Sequence, residues 1–143
     1  MNTSPSIKAD ILVVDDTPDN IRFLSSILTE EGYSVRPAIS GRIAIRAAQT
    51  ITPDLILLDI NMPDMDGYQV CRIIKGNPIT RNVPVIFLSA LDDIQDKVKA
   101  FEVGGNDYIS KPFQLQEVLI RIANQLTINN LQKQVQERVV PNM

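Results

Sequence analysis

Four short segments of strand length, three of them wholly apolar, constrain this chain more than any other feature. They are Ile11-Leu12-Val13-Val14 before Asp15-Asp16, Leu55-Ile56-Leu57-Leu58 before Asp59, Val85-Ile86-Phe87-Leu88 before Ser89, and Tyr108-Ile109-Ser110 before Lys111-Pro112. A strand that is apolar on both pleat faces is covered on both sides, the pattern of a parallel sheet rather than of a half-exposed antiparallel one. Stretches of helical period separate the runs, which marks βαβ units. In a parallel sheet every strand points the same way. The polar residues that end these runs therefore gather at one edge, where open α/β sheets place their chemistry.

The intervening segments supply the helices. Thr17-Pro18-Asp19 suits a helix start, with a capping hydroxyl, a proline at the first position and an early acid. Ile21, Leu24, Ile27 and Leu28 give its stripe, and Gly32 stops it. The second strand is expected over Tyr33 to Ala38. Ser40 can cap a second helix whose inner face carries Ala44, Ala47, Ala48 and Ile51. Tyr68, Val70, Cys71, Ile73 and Ile74 belong to a third helix, closed by Gly76-Asn77-Pro78. A fourth starts near Asp92-Asp93 and shows Ile94, Val98 and Phe101, and Gly104-Gly105 ends it. A fifth begins near Gln114 with Leu115, Leu119, Ile122 and Leu126 on one face. Beyond it Ile128, Leu131 and Val135 form a weaker, rotated stripe, too short for the three or four heptads, roughly, of a coiled coil. Five β and five α elements in strict alternation predict a doubly wound α/β domain over residues 9–127. Residues 1–8 read as a flexible N-terminus and 128–143 as a helical extension or linker.

Bulk properties exclude several function classes. A chain of 143 residues with 44% hydrophobic and 22% charged residues is one globular domain. A net charge of −3 argues against non-specific nucleic-acid binding by this chain. The apolar runs fall far short of the roughly 20 residues a spanning helix needs, so no membrane insertion is expected. The first ten residues carry no signal-peptide pattern. Cys71 is the only cysteine, which forbids an internal disulfide and fits a reducing cytoplasm. It reads as a small core residue. With no histidine, triad hydrolases and histidine-based zinc sites are disfavoured.

Asp15, Asp16 and Asp59 would crowd together at the shared edge. Like charges that close either hold a cation or shift their pKa values upward. Oxygen ligands alone, few of them and with room for water, suit Mg²⁺. A carboxylate can also take a phosphoryl group. Asp59 stands alone after the central strand and is the expected nucleophile, whereas the adjacent Asp15 and Asp16 read as a metal-holding pair. Lys111 brings a compact positive charge and Ser89 a hydroxyl donor to the phosphoryl oxygens. Taken singly, these residues have plainer readings: a turn and helix cap for Asp15-Asp16, a strand end for Asp59, a helix cap for Ser89, a solvated loop lysine for Lys111. The combination in chain order is what favours a single site. Asp64 and Asp66 read as turn formers, and Met62-Pro63 as shaping the loop beside the metal.

The arrangement resembles the receiver domain of bacterial two-component response regulators. The residues that carry the resemblance are Val13-Val14-Asp15-Asp16, Leu57-Leu58-Asp59-Ile60-Asn61-Met62-Pro63, Asp66-Gly67, Leu88-Ser89-Ala90 and Tyr108-Ile109-Ser110-Lys111-Pro112-Phe113. The resemblance implies a flavodoxin-like parallel sheet in the order 2-1-3-4-5 flanked by five helices. It also implies that Asp59 accepts a phosphoryl group from a sensor histidine kinase or phosphotransfer protein. Asp16, Asp59 and the backbone carbonyl of Asn61 would hold Mg²⁺, with Asp15 helping through water or directly. Ser89 would be the switch hydroxyl, Tyr108 the aromatic switch partner, and Lys111 the phosphate's ion pair, followed by a cis proline bond. The surface expected to respond is the fourth helix, fifth strand and fifth helix. A homodimer could form through that face or through the C-terminal helix. The fold alone also admits two rivals. A metal-dependent phosphohydrolase usually has a second acid two residues after its nucleophile, where this chain has Asn61. A flavin module needs a phosphate-cradling loop where this chain has Asp15-Asp16-Thr17-Pro18-Asp19. The end of the chain reads as that of a fragment of a longer protein, with the tail passing the signal on.

Overall fold

The computed structural model describes residues 7–90 and 93–139. Its strands are β1 (Asp10–Val14), β2 (Ser34–Ala38), β3 (Leu55–Asp59), β4 (Val85–Ser89) and β5 (Asp107–Ser110). Its helices are α1 (Pro18–Glu30), α2 (Gly41–Thr50), α3 (Gly67–Gly76), α4 (Ile94–Glu102) and α5 (Leu115–Val139). All strands pair in parallel, in the order β2-β1-β3-β4-β5. The expected doubly wound sheet and its strand order are therefore observed. Pro37, which lacks an amide proton, sits in β2, at the edge where a missing ladder donor is tolerated.

The uniformly apolar runs supply two cores at once, because successive side chains of a strand point to opposite faces. Leu12, Val14, Ile56, Leu58, Val85, Phe87 and Tyr108 pack with residues of α2, α3 and α4, among them Ala44, Ala48, Cys71 and Ala100. Ile11, Val13, Leu55, Leu57, Ile86, Leu88 and Ile109 pack on the other face with Leu24 and Leu28 of α1 and Val118 and Ile122 of α5. Each such aliphatic side chain contributes roughly 1.5–3 kcal/mol through burial. The small residues of α2 let it lie close to the sheet, as the sequence suggests. Ser40 caps α2 through its hydroxyl, which accepts from the Ile43 amide at 3.2 Å. Gly32 takes a positive φ of 97° just past α1 and ends it.

Four details depart from the sequence reading. Thr17 stands at the N-cap of α1, but its side chain makes no cap bond. The Thr17 amide donates to the Asp15 carboxylate at 2.9 Å. In α4 the stripe Ile94, Val98 and Phe101 faces solvent, at 74%, 50% and 51% exposure, and α4 packs through buried Ala100. In α5 Leu115 is exposed, and the core contact is made by Val118 and Ile122, flanked by Leu119 and Leu126. Ile51 lies just past α2 as its C-cap and is exposed. Asp92, offered as part of the start of α4, lies outside the described residues, as do 1–6 and 140–143; the described N-cap is Asp93, whose carboxylate accepts from Gln95. At about 1.5 Å rise per residue, the 25 residues of α5 extend some way past the sheet, and Ile128, Leu131 and Val135 there are exposed.

Candidate metal centre

The parallel sheet delivers the strand-end residues to one edge. Asp15 follows β1 and is fully buried, Asp59 closes β3 and is nearly so, and Asp16 is exposed. Carboxylate oxygens of Asp15, Asp16 and Asp59 all lie within 4.8 Å of one another. The Lys111 ammonium, one residue past β5, is 3.3 Å from Asp59 Oδ1 and 3.5 Å from Asp15 Oδ2. Asp15 also accepts from the Thr17 amide through Oδ1 at 2.9 Å and from the Asn20 side-chain amide through Oδ2 at 3.1 Å. Three carboxylates against one ammonium leave a formal −3 + 1 = −2.

Burial and that excess negative charge both favour the protonated form of Asp59. Burial raises its carboxyl from 3.8 to about 6, the charge of Asp15 adds to the rise, and Lys111 only partly opposes it. A buried carboxylate pair that one ammonium only partly neutralises, flanked by an exposed third, could hold a cation, and the donor set is all oxygen. Hard divalent ions fit such ligands, and the open, exposed Asp16 side leaves room for water.

Ser89 ends β4 and is fully buried; its carbonyl accepts the Lys111 amide at 2.8 Å, which ties the tip of β5 to that of β4. The Lys111-Pro112 bond is cis. Tyr108 is buried within β5, paired in register with Phe87, and the Lys97 ammonium lies 5.7 Å from its ring centroid. Asn61 is exposed in the loop that follows β3. The structure thus brings Asp15, Asp16, Asp59 and Lys111 into one cluster. It places Ser89 and Tyr108 on the adjoining strands and Asn61 on the adjoining loop.

The loop from Ile60 to Asp66 is firmly built. The Gly67 amide donates to the Ile60 carbonyl at 2.7 Å and closes its neck. A Cβ on Gly67 would lie 2.4 Å from the Asp59 carbonyl oxygen, so only glycine fits beside the strand. Asp66 forms a reciprocal capping box with Gln69, at 2.9 and 3.0 Å, and starts α3. Asp64 is more than a turn former: its carboxylate accepts from the amides of Gly41 and Arg42, both at 3.2 Å, at the head of α2. The contacts of Asn20 with Asp15 and of Asp64 with the head of α2 were not foreseen in the sequence. Asn20 lies five residues after Asp15 on the first turn of α1, a spacing that hints at its contact. Asp64 meets a partner with no fixed spacing at all.

Among the described residues no helix is long and apolar enough to cross a membrane. A groove of about 480 Å³, lined by none of the cluster residues, lies between Asn82 and the α5 tail near Ile128, Leu131 and Val135.

Comparison with known proteins agrees with the geometry. The sequence matches the family described as "Response regulator receiver domain" over residues 11–123. It is 45% identical over 106 residues to the response regulator PleD of Caulobacter vibrioides, covering 74% of this chain and 23% of that protein. It is 39% identical over 112 residues to the DNA-binding dual master transcriptional regulator RpaA of Synechocystis, covering 78% and 46%. The chain therefore spans less than half of these relatives. Among solved structures, the signal receiver domain of a signal transduction histidine kinase from Syntrophus aciditrophicus superposes with a TM-score of 0.78 at 39% identity, covering 83% of this chain and 90% of that one. NtrX from Brucella abortus gives 0.86 at 30% identity, covering 94% of this chain and 31% of that one. Those matches, together with a buried acidic cluster at the strand tips, place this chain in the family of response regulator receiver domains of two-component systems.

Proposed function

We propose that Asp59 accepts a phosphoryl group from a sensor histidine kinase or a phosphotransfer protein, in the cytoplasm, and that Mg²⁺ is the ion of the acidic cluster. The observation that carries this reading is the meeting of Asp15, Asp16 and Asp59 within 4.8 Å beside the Lys111 ammonium. Asp15, Asp16, Asp59 and the backbone carbonyl of Asn61 are the proposed ligands. When bound, the ion neutralises the carboxylates and draws charge from the phosphoryl oxygens.

The Asp59 oxygen forms the new bond to phosphorus as the donor's bond to phosphorus breaks, the donor leaving with that electron pair. Burial keeps water from the carboxylate and preserves the strength of nearby charges. Lys111 exchanges part of its contact with Asp59 and Asp15 for a phosphoryl oxygen. Ser89 offers its hydroxyl to another. Those bonds exist only in the phosphorylated arrangement, so they shift the population toward it. Their effect passes to Tyr108 and to the face made by α4, β5 and α5, where Ile94, Val98 and Phe101 are exposed for a partner. Residues 9–127 act as the switching module and the extension from 128 as its output or dimerisation element. The chain works as an acceptor and switch rather than as a turnover enzyme. An exposed amide, Asn61, stands where a phosphohydrolase would carry its second acid, and acidic Asp15-Asp16 stand where a flavin module would cradle phosphate.

The test is incubation with acetyl phosphate. With Mg²⁺ the intact mass should rise by one phosphoryl group, and with EDTA it should not. Equal labelling in both conditions would overturn the metal assignment, and steady release of inorganic phosphate from a phosphomonoester panel would favour the hydrolase.

A further inference from the structure

The head of α2 carries no residue of the acidic cluster, yet the loop after β3 is fastened to it. An α-helix leaves its first amides without intrahelical partners. In α2 the Ser40 hydroxyl takes the Ile43 amide and the Ser40 carbonyl takes that of Ala44, at 3.0 Å. The remaining two, on Gly41 and Arg42, are taken by Asp64, 23 and 22 residues further on. Negative charge at a helix N-terminus is favourable, so the contact suits both partners. Packing reinforces it independently. A Cβ on Gly41 would stand 2.8 Å from Val70 Cγ2 and 3.0 Å from Met65 Cβ, so the helix head, the loop and α3 are in close contact. Met62 is buried and Met65 packs against the same core. Asn61 itself is exposed and makes no such anchor of its own.

We propose that Asp64 is a positioning residue for the cation: by clamping the β3–α3 loop to the head of α2, it fixes the path of the backbone that presents the Asn61 carbonyl. This rests on the reading that the carbonyl is a metal ligand. It makes α2 an element coupled to metal affinity, although α2 contributes no residue to the acidic cluster. Coupling of this kind is reciprocal, so a bound ion must tighten the clamp in turn.

The experiment compares wild type, Asp64→Ala and Asp64→Asn by Mg²⁺ calorimetry, with amide hydrogen exchange of Gly41 and Arg42 read in the same samples. Asp64→Ala should weaken Mg²⁺ binding by about five- to tenfold. Asp64→Asn, which drops the charge but keeps an acceptor oxygen, should stay within about twofold of wild type, as rescue of a positional role requires. Mg²⁺ should slow exchange at Gly41 and Arg42 in wild type and not in Asp64→Ala. Equal weakening in both variants would overturn the inference, because Asp64 would then act only through its charge; so would an Asp64→Ala chain that binds like wild type. A wild-type chain that binds no Mg²⁺ would instead overturn the metal reading itself, and this inference with it.

Discussion

The ammonium of Lys111 lies 3.3 Å from the Asp59 carboxylate, and the same ammonium reaches Asp15 at 3.5 Å. One cation thus serves two buried acids, and neither is fully neutralised. Replacing it by an apolar chain of similar length removes the charge that opposes the rise of the Asp59 carboxyl. In Lys111→Met without metal, the Asp59 carboxyl should titrate above the value of about 6 held in the wild type. Carbon-13 NMR of the labelled carboxyl reads this directly. Labelling by acetyl phosphate should slow by about tenfold or more, the worth of one charge-assisted contact of roughly 1.4 kcal/mol.

The raised carboxyl of Asp59 also sets a pH dependence. Its folded value is about 6 against 3.8 when free. The folded state therefore holds a proton more tightly than the unfolded one. Stability from this group is full below about pH 4, and it is lost as pH rises through 6. The loss is about 3 kcal/mol. In EDTA, Asp59→Asn should be more stable than wild type by that order at pH 7.5, with the gap closing toward pH 4. Mg²⁺ should shrink the gap at pH 7.5 by stabilising wild type alone. Paired urea titrations measure both; a gap that does not change with pH would contradict the raised carboxyl, which burial and the Asp15 charge produce together.

The junction between β3 and α3 makes a steric demand that is equally direct. With a Cβ on residue 67 placed 2.4 Å from the Asp59 carbonyl oxygen and 2.8 Å from Ile60 Cα, both backbone, nothing flexible can yield. Gly67→Ala should cost about 1–3 kcal/mol of stability. Because the strand end must move, it should also weaken Mg²⁺ binding. Gly76→Ala, at a helical site with open space around it, is the control and should lower neither.

Much of this was legible in the sequence, for an identifiable reason. Strands buried on both faces leave unbroken apolar runs, so β1, β3 and β4 and the residues at their tips could be read directly, and the edge position of Asp15, Asp16, Asp59 and Lys111 followed from parallel order. Periodicity was weaker evidence of orientation. It showed that Ile94, Val98 and Phe101 share a face of α4, but not that this face turns away from the sheet. Ala100, whose small side chain makes the actual contact, leaves no stripe. In α5 the same weakness put Leu115 in the core in place of Val118. Contacts between loops far apart in the chain, such as Asp64 with Gly41 and Arg42, have no spacing rule and could not be read. Thr17 stands at the N-cap without a side-chain cap bond, and its own amide donates to Asp15 at the strand tip, a contact that capping rules do not foresee.

The exposed stripe Ile128, Leu131 and Val135 gives the extension its own test. These side chains make no contribution to either core cluster. Replacing all three by serine should leave the melting temperature of the domain within about 2 °C, since exposed substitutions cost little. If the extension pairs two copies, the same variant should be monomeric in light scattering where the wild type is dimeric. Identical masses for the two would remove the tail from the interface.

The central claim is that the residue modified is Asp59. Borohydride reduces an aspartyl phosphate to homoserine, and peptide mass spectrometry then locates it. After treatment with acetyl phosphate and Mg²⁺, homoserine should appear at position 59 alone, and Asp59→Asn should give none. Homoserine at position 15 or 16, or reduction persisting in Asp59→Asn, would contradict the account.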